Sequence, residues 1–259
     1  MKSSLKKKKL TLHRFSLSFS EPDDRSIIET YKKDFTTWLS SMKLPGELIS
    51  NLGDIYIPLI NLLKKEKYIH KGKIPIIGIS GSQGSGKSTF TDLLTNLLEK
   101  AYGYRVASFS IDDFYHSRAT REILSHTTHP LLITRGVPGT HNVNTGFHVL
   151  DSLLTAEDNT ITRIPVFDKS VDDQKPFEEW RLYKGRPDII LFEGWCVGAA
   201  PQSPEQLSVP MNDLERVYDS DGKFRSFVNE QLTGDYMNWF SKIDFLIMLK
   251  IPSFEMVYE

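Results

Sequence analysis

A glycine-rich segment that ends in lysine and serine carries the strongest chemical signal in the sequence. It reads Gly81-Ser82-Gln83-Gly84-Ser85-Gly86-Lys87-Ser88 and matches the pattern G-x-x-x-x-G-K-[ST] at every fixed position. Glycines let successive backbone N–H groups approach phosphate oxygens, and the helix that follows adds the positive end of its dipole. Lys87 would reach the β- and γ-phosphates, and Ser88 would bind Mg²⁺ through its hydroxyl. We therefore predict a nucleotide-binding loop that runs from Gly81 to Thr89; the alternative is a strand-to-helix turn that binds nothing.

A pair of aspartates follows a second apolar run. Asp112 and Asp113 come directly after Val106–Ile111. Because adjacent side chains on a strand point to opposite faces, one carboxylate can face the γ-phosphate while the other contacts metal or solvent. A positioned aspartate that accepts the proton of a substrate hydroxyl is what phosphoryl transfer to an alcohol requires. The alternative is that the pair caps a helix that begins near Phe114.

A single glutamate follows a third apolar run. Ile189–Phe192 is succeeded by Glu193, and four apolar residues before an acid have the form of a Walker-B element. The carboxylate of such an element orders Mg²⁺ or its water shell. The sequence contains neither the guanine-reading motif N-K-x-D nor the transporter signature L-S-G-G-Q, which argues against regulatory GTPases and transport ATPases.

Two further segments concentrate polar side chains. One reads Arg135-Gly136-Val137-Pro138-Gly139-Thr140-His141-Asn142 and offers a fixed positive charge and an imidazole. The other, Pro165-Val166-Phe167-Asp168-Lys169-Ser170, places an acid, a base and a hydroxyl together. Each has a structural alternative, a surface loop for the first and a salt-bridged turn for the second.

Strands and helices that alternate along the chain must position these loops. Apolar runs predict strands at Ile74–Ser80, Val106–Ile111, Thr162–Phe167, Ile189–Phe192 and Ile243–Leu249. Apolar spacing at the helical period predicts helices over residues 86–101 and Val143–Leu154. This order indicates an α/β fold with a mostly parallel sheet, in which ligands bind at the carboxyl ends of the strands.

Two helices are predicted before this part of the chain. The first covers residues 20–42, with Ser20 as its cap, and the second begins near Pro58. The first presents one apolar stripe: Ile27, Ile28, Tyr31, Phe35, Trp38, Leu39 and Met42.

Composition narrows the class of protein. The chain has 259 residues, a net charge of −1 and a sequence pI of about 6.7. The net charge therefore gives no overall electrostatic attraction to nucleic acid or to an anionic membrane. The lone Cys196 excludes an internal disulfide and fits a reducing compartment. The basic run Lys6–Lys9 has no apolar segment behind it, so it does not indicate a secretory signal. We expect a cytoplasmic protein that does not bind nucleic acid or membranes.

Five motifs in a fixed order identify a family. They are G-S-Q-G-S-G-K-S, S-I-D-D-F-Y, R-G-V-P-G-T-H, P-V-F-D-K-S and L-F-E-G-W-C-V-G. In this combination the chain resembles the D-glycerate 3-kinase family of P-loop kinases and is more distantly similar to pantothenate kinase, uridine kinase and phosphoribulokinase. The resemblance covers about residues 74–259. It implies a three-layer P-loop NTPase-type fold with an N-terminal helical extension, ATP with Mg²⁺ as the donor, and D-glycerate as the acceptor.

The resemblance also implies residue roles. The predicted catalytic residues are Asp112, Glu193 and Lys87. Asp112 matches the catalytic base, Glu193 the second acid of the metal and catalytic centre, and Lys87 the lysine that binds the phosphates. Metal contacts would come from Ser88, Glu193 and Asp112. The implied substrate-binding residues are Asp113, Tyr115, Arg135, His141, Asp168 and Lys169. A carboxylate substrate needs such cations, because an arginine fork or an ammonium can pair with it.

Three regions of the chain follow from this resemblance. We expect residues 1–19 to form a basic tail, residues 20–72 a helical extension packed on the core, and residues 73–259 the kinase domain, which we expect to lack part of the C-terminal lid. The family often has aspartate at the position of Asn142, and arginine at the position of Gln174.

The alternatives for the function are a kinase of a pantothenate-like or nucleoside-like metabolite, and an ATP-binding protein of this fold with little catalytic activity. We expect a monomer or a homodimer.

Overall fold

The computed structural model describes residues 22–65 and 72–251, in two compact units that divide after Lys65. The first unit holds helix α1 (Pro22–Ser41), a 3-10 turn (Gly46–Ser50), a π turn (Leu52–Tyr56) and helix α2 (Ile57–Lys65). The predicted cap Ser20, the basic tail and the segment 252–259 lie outside the described residues.

The middle of the apolar stripe of α1 is buried. Tyr31, Phe35 and Leu39 are buried as predicted, whereas Met42 is exposed. The reason is positional, since the helix ends at Ser41 and Met42 follows in a turn.

The second unit alternates strands and helices. In chain order they are β1 (Ile76–Gly81), α3 (Lys87–Lys100), β2 (Val106–Ser110), α4 (Arg118–Thr127), α5 (Val143–Leu154), β3 (Ile161–Ile164), β4 (Phe167–Asp168), β5 (Asp173–Gln174), β6 (Arg181–Lys184), β7 (Ile189–Gly194), α6 (Pro204–Leu207), α7 (Asp213–Tyr218), α8 (Lys223–Gln231), α9 (Met237–Phe240) and β8 (Phe245–Leu249). Short 3-10 turns cover Ile111–Phe114, Pro130–Ile133 and Phe177–Glu179, and a π turn covers Leu232–Tyr236.

Four strands form one parallel sheet in the order β2-β7-β1-β8. Every residue of β1 and β7 is buried, as expected for the central strands of a parallel sheet covered on both faces. The register pairs Glu193 of β7 with Ile79 of β1 on one side and with Ser110 of β2 on the other. The loops after these three strands therefore meet at one edge, and the predicted α/β class with a mostly parallel sheet is confirmed.

The segment predicted as one strand, Thr162–Phe167, contributes to two separate ribbons instead. β3 pairs antiparallel with β6, and β4 pairs antiparallel with β5, so neither joins the main sheet. Pro165 lies between the two strands and cannot donate a backbone hydrogen bond, which explains why the ladder stops there.

Aromatic packing supports the edge of the sheet where the loops meet. Phe192 of β7 lies 5.0 Å from Phe109 of β2 and 4.7 Å from Trp239, measured between ring centroids. Phe114, at the end of the turn after β2, meets Trp239 edge-on.

Among the described residues, no helix is both long and apolar enough to cross a membrane.

Candidate active site

The glycine-rich loop lies between buried β1 and the first turn of α3. Gly84 and Gly86 both have φ of +78°, in the left-handed region that glycine adopts without strain. The hydroxyl oxygens of Ser82 and Ser85 are buried and have no hydrogen-bond partner among the described residues. Buried polar atoms are rarely left unpaired, so this loop has the hydrogen-bonding capacity to bind phosphate oxygens.

Glu193 connects this loop to the end of β7. Ser88 Oγ donates to Glu193 Oε1 at 3.3 Å, whereas Glu193 Oε2 is buried and has no partner in the described part of the chain. Burial raises the pKa of this carboxyl, and Lys87 and Ser110 act in the opposite direction. Among the described residues, no group of three or more histidine, cysteine, aspartate or glutamate side chains is arranged so that it could hold a metal ion. One hydroxyl and one unpaired carboxylate oxygen suit Mg²⁺, which retains several waters and binds few protein ligands.

The two aspartates after β2 have different surroundings. Ser110 caps the 3-10 turn by accepting the Asp112 N–H at 3.2 Å, and the Asp113 carboxylate accepts the Ser110 N–H at 3.0 Å. Asp113 is thus part of a capping box, and it does not line the cavity described below. Burial raises the pKa of Asp113. The geometry therefore favours the cap for Asp113 over the predicted contact with substrate.

A single cavity of about 820 Å³ joins the glycine-rich loop to the acceptor-side loops. Asp112 lines this cavity, and its carboxylate accepts a hydrogen bond from Lys169 Nζ at 2.7 Å. Of the implied substrate-binding residues, Tyr115, Arg135 and Lys169 line this cavity together with Lys87. Its other lining residues are Ser82, Gln83, Arg118, Ile133, Thr134, Gly136, Asp172 and Trp195.

His141 lies behind the wall of the cavity rather than in its lining. Its ring stacks on Tyr115 with centroids 4.3 Å apart, and it is buried. Nδ1 is 2.6 Å from Tyr236 Oη, which also accepts the Gly139 N–H at 2.9 Å. We assign the phenol proton to the bond with Nδ1, which leaves the imidazole proton on Nε2. Burial lowers the pKa of His141 to about 3, so the ring is neutral near pH 7.

Asp168 also lies outside the cavity lining. Its carboxylate accepts hydrogen bonds from Ser170 N–H at 2.9 Å and Ser170 Oγ at 2.6 Å, which lower its pKa. For Asp168 these contacts favour a role within the turn over the predicted contact with substrate, and its hydrogen-bond partner is Ser170 rather than a cation. Asn142 caps α5 by accepting the Thr145 N–H at 3.0 Å, a role that asparagine and aspartate perform equally well.

Sequence reasoning gave no role to five residues of the cavity wall: Arg118, Ile133, Thr134, Asp172 and Trp195. Trp195 follows the glutamate in a motif already noted, and its indole N–H donates to the Gly136 carbonyl at 3.0 Å. Arg118 and Asp172 belong to segments without a recognisable pattern, and no local signal would have found them.

The buried neutral imidazole predicts acid sensitivity. An unfolded histidine binds a proton below about pH 6.5, whereas folded His141 stays neutral down to about pH 3. The unfolded state therefore binds more protons in this window, and the free energy of unfolding falls as the pH is lowered, by up to about 1.4 kcal/mol per pH unit from this group. Urea unfolding between pH 7 and pH 4.5 should show a shallower fall for His141→Gln than for the wild type.

The control for this measurement is His148→Gln, which removes an exposed imidazole from α5. Parallel loss of stability in the wild type and His141→Gln would contradict the buried neutral state of His141.

Comparisons with known proteins agree with this geometry. The chain is 33% identical over 220 residues to an uncharacterized kinase, mug58, of Schizosaccharomyces pombe, with 82% of this chain and 76% of that protein covered. It is 28% identical over 237 residues to the chloroplastic D-glycerate 3-kinase of Arabidopsis thaliana, with 85% of this chain covered but only 49% of the plant enzyme.

A solved structure shows the same fold. The D-glycerate 3-kinase of Cryptococcus neoformans superposes with a TM-score of 0.63 at 28% identity, covering 77% of this chain and 72% of that one. No family model matches the chain. The phosphate loop, the strand-end acids and these relatives agree, and the chain therefore belongs to the D-glycerate 3-kinase family of P-loop kinases, phosphotransferases with an alcohol group as acceptor.

Proposed function

We propose that the protein transfers the γ-phosphoryl group of ATP to a hydroxyl of D-glycerate and forms 3-phosphoglycerate and ADP. The observation that carries this proposal is one continuous cavity. It is lined by Lys87 of the phosphate loop, the carboxylate of Asp112 and the cations Arg135 and Lys169. A donor phosphate and an anionic alcohol could therefore meet within a single site.

On the donor side, the loop Gly81–Thr89 would hold the triphosphate. Its buried serine hydroxyls and the amino end of α3 offer hydrogen-bond donors to phosphate oxygens. Lys87 would stabilise the charge that develops on the transferring group. Ser88 and Glu193, with Asp112 nearby, would hold Mg²⁺, which supplies neutralisation of phosphate charge when it is bound.

On the acceptor side, Asp112 would take the proton of the attacking hydroxyl. Its side chain is about one quarter exposed to the cavity, and it is already hydrogen-bonded to an ammonium group, that of Lys169. A substrate carboxylate would pair with Arg135 and Lys169, because both line the cavity beside Asp112. Binding of the acid would thus draw Lys169 toward the substrate and leave Asp112 to accept the hydroxyl proton.

The test is a panel of acceptors. MgATP and the purified protein are mixed in turn with D-glycerate, L-glycerate, pantothenate and nucleosides, and ADP release is followed while the product is identified by mass spectrometry. We expect release that depends on D-glycerate. Turnover with pantothenate or a nucleoside alone would reject the glycerate assignment and keep the kinase class. Tight MgATP binding without turnover on any acceptor would instead favour an ATP-binding protein of little activity.

A further inference from the structure

An arginine buried beneath the acceptor side of the cavity joins three loops. The Arg121 side chain is 1% exposed, and its guanidinium donates to three backbone carbonyls. The Nε group donates to His116 at 3.2 Å, Nη1 to Ile133 at 2.8 Å and Nη2 to Asp172 at 2.6 Å. A buried arginine is stable only when its donors are satisfied, so these contacts fix the three loops relative to one another.

The carboxylate of Asp172 extends this anchor to the cavity. Its Oδ2 accepts from Arg121 Nη2 at 3.0 Å, and its Oδ1 forms an ion pair with Arg135 Nη1. Burial alone would raise the pKa of Asp172, but the hydrogen bonds from the two arginines lower it below its usual value. The residue sits in the left-handed backbone region with φ of +56°, an uncommon conformation that aspartate tolerates better than most residues.

The two guanidinium groups share an aromatic support. Arg121 and Arg135 lie 5.9 and 5.5 Å from the ring centroid of buried Phe167, within range of a cation–π interaction. Among the described residues, Asp172 is the only hydrogen-bond partner of the Arg135 side chain. The Nε and Nη2 groups of Arg135 thus remain available, and this pair of donors matches a carboxylate in bidentate geometry.

We propose that Asp172 is a positioning residue that holds the Arg135 guanidinium ready for the carboxylate of the acceptor, with Arg121 as its buried anchor. This inference rests on the proposed function, since it gives Arg135 the substrate carboxylate as its partner. An arginine held on one side by a fixed carboxylate loses little side-chain entropy when it binds a second one.

The decisive variant is Asp172→Gly. Glycine adopts the positive φ at this position without strain, and it keeps the backbone carbonyl that Arg121 binds, so only the carboxylate is removed. We expect the KM for D-glycerate to rise roughly 10- to 100-fold, as for loss of a charge-assisted hydrogen bond. The KM for MgATP should stay within about 2-fold of the wild type, and kcat should change far less than the KM for the acid. Asp172→Asn, which keeps the side-chain shape, should give a smaller rise.

A matched control tests whether loss of any buried ion pair has the same effect. Asp219 is buried, pairs with Arg225 Nη1 at 2.9 Å and accepts the Phe224 N–H at 2.7 Å, but it does not line the cavity. Asp219→Asn should lower the thermal stability and leave both KM values unchanged. An equal rise of the acceptor KM in this control would assign the effect to general destabilisation and overturn the proposal.

A second measurement does not depend on the substrate. Guanidinium ¹⁵N–¹H NMR signals, assigned with Arg135→Lys, report whether rotation of the Arg135 group is restricted. We expect restricted rotation in the wild type and averaged signals in Asp172→Gly. Identical signals, or an unchanged KM for D-glycerate, would overturn the positioning role. If the wild type shows no turnover with D-glycerate, the proposed function fails, and the NMR comparison still decides whether Asp172 fixes Arg135.

Discussion

We expect the replacement of Asp112 by asparagine to lower kcat with the proposed acceptor, D-glycerate, by about 10²- to 10⁴-fold, the usual contribution of a general base, and to leave the affinity for MgATP nearly unchanged. The amide preserves the shape of the side chain but cannot accept a proton from the attacking hydroxyl. The measurement combines steady-state turnover with calorimetric titration of MgATP. Asp151→Asn, which removes an exposed carboxylate from α5, serves as the charge-matched control.

A second variant separates the base from the ion pair. Asp112 also binds Lys169, so part of the loss could come from a displaced ammonium group. Lys169→Met removes the same pair and keeps the carboxylate. We expect it to raise the KM for D-glycerate and to reduce kcat much less than Asp112→Asn does. If the two variants reduce kcat equally, or if Asp112→Asn keeps full turnover, the assignment of Asp112 as the base is wrong.

We expect the replacement of Lys87 by alanine to weaken nucleotide binding and turnover together. The ammonium group would contact the same phosphates before and during transfer, so its loss should reduce both MgATP affinity and kcat. We expect kcat to fall on the order of 10²- to 10³-fold, as when one preorganised donor is removed from a reacting oxyanion. Lys100→Ala, at the other end of α3, removes an equal charge from the same helix and should change neither value more than about 2-fold. A loss confined to MgATP affinity would show that Lys87 only binds the nucleotide.

The sequence predicted the donor side of the site better than the acceptor side. The phosphate loop, Asp112 and Glu193 each follow an apolar run, and parallel strands bring the ends of such runs to one edge of the sheet. Local patterning therefore sufficed to place these residues near one another. The bounds of β1, β2 and β7 differ from the predictions by only one or two residues, because the apolar runs themselves define the strands.

The acceptor side depends on contacts that sequence patterns do not reveal. Asp168 and Asp172 are four residues apart, yet only Asp172 lines the cavity, because the turn between β4 and β5 decides where each carboxylate lies. The partners of Asp172 are 51 and 37 residues away in sequence. His141 was expected to contact the substrate, but its stacking on Tyr115 and its bond to Tyr236 place it behind the wall. No pattern within either segment predicts which of these side chains is covered.

The position of the two antiparallel ribbons outside the main sheet bears on how easily this enzyme could acquire a new acceptor. β4 and β5 pair only with each other, so the turn between them lies outside the ladder of β2, β7, β1 and β8 that positions the phosphate loop and the strand-end acids. Directed evolution confined to this turn and to the segment around Arg135 should therefore yield folded variants that still bind ATP. Such a library would separate acceptor choice from phosphoryl-transfer competence, with Arg121 kept constant as the anchor shared by both segments.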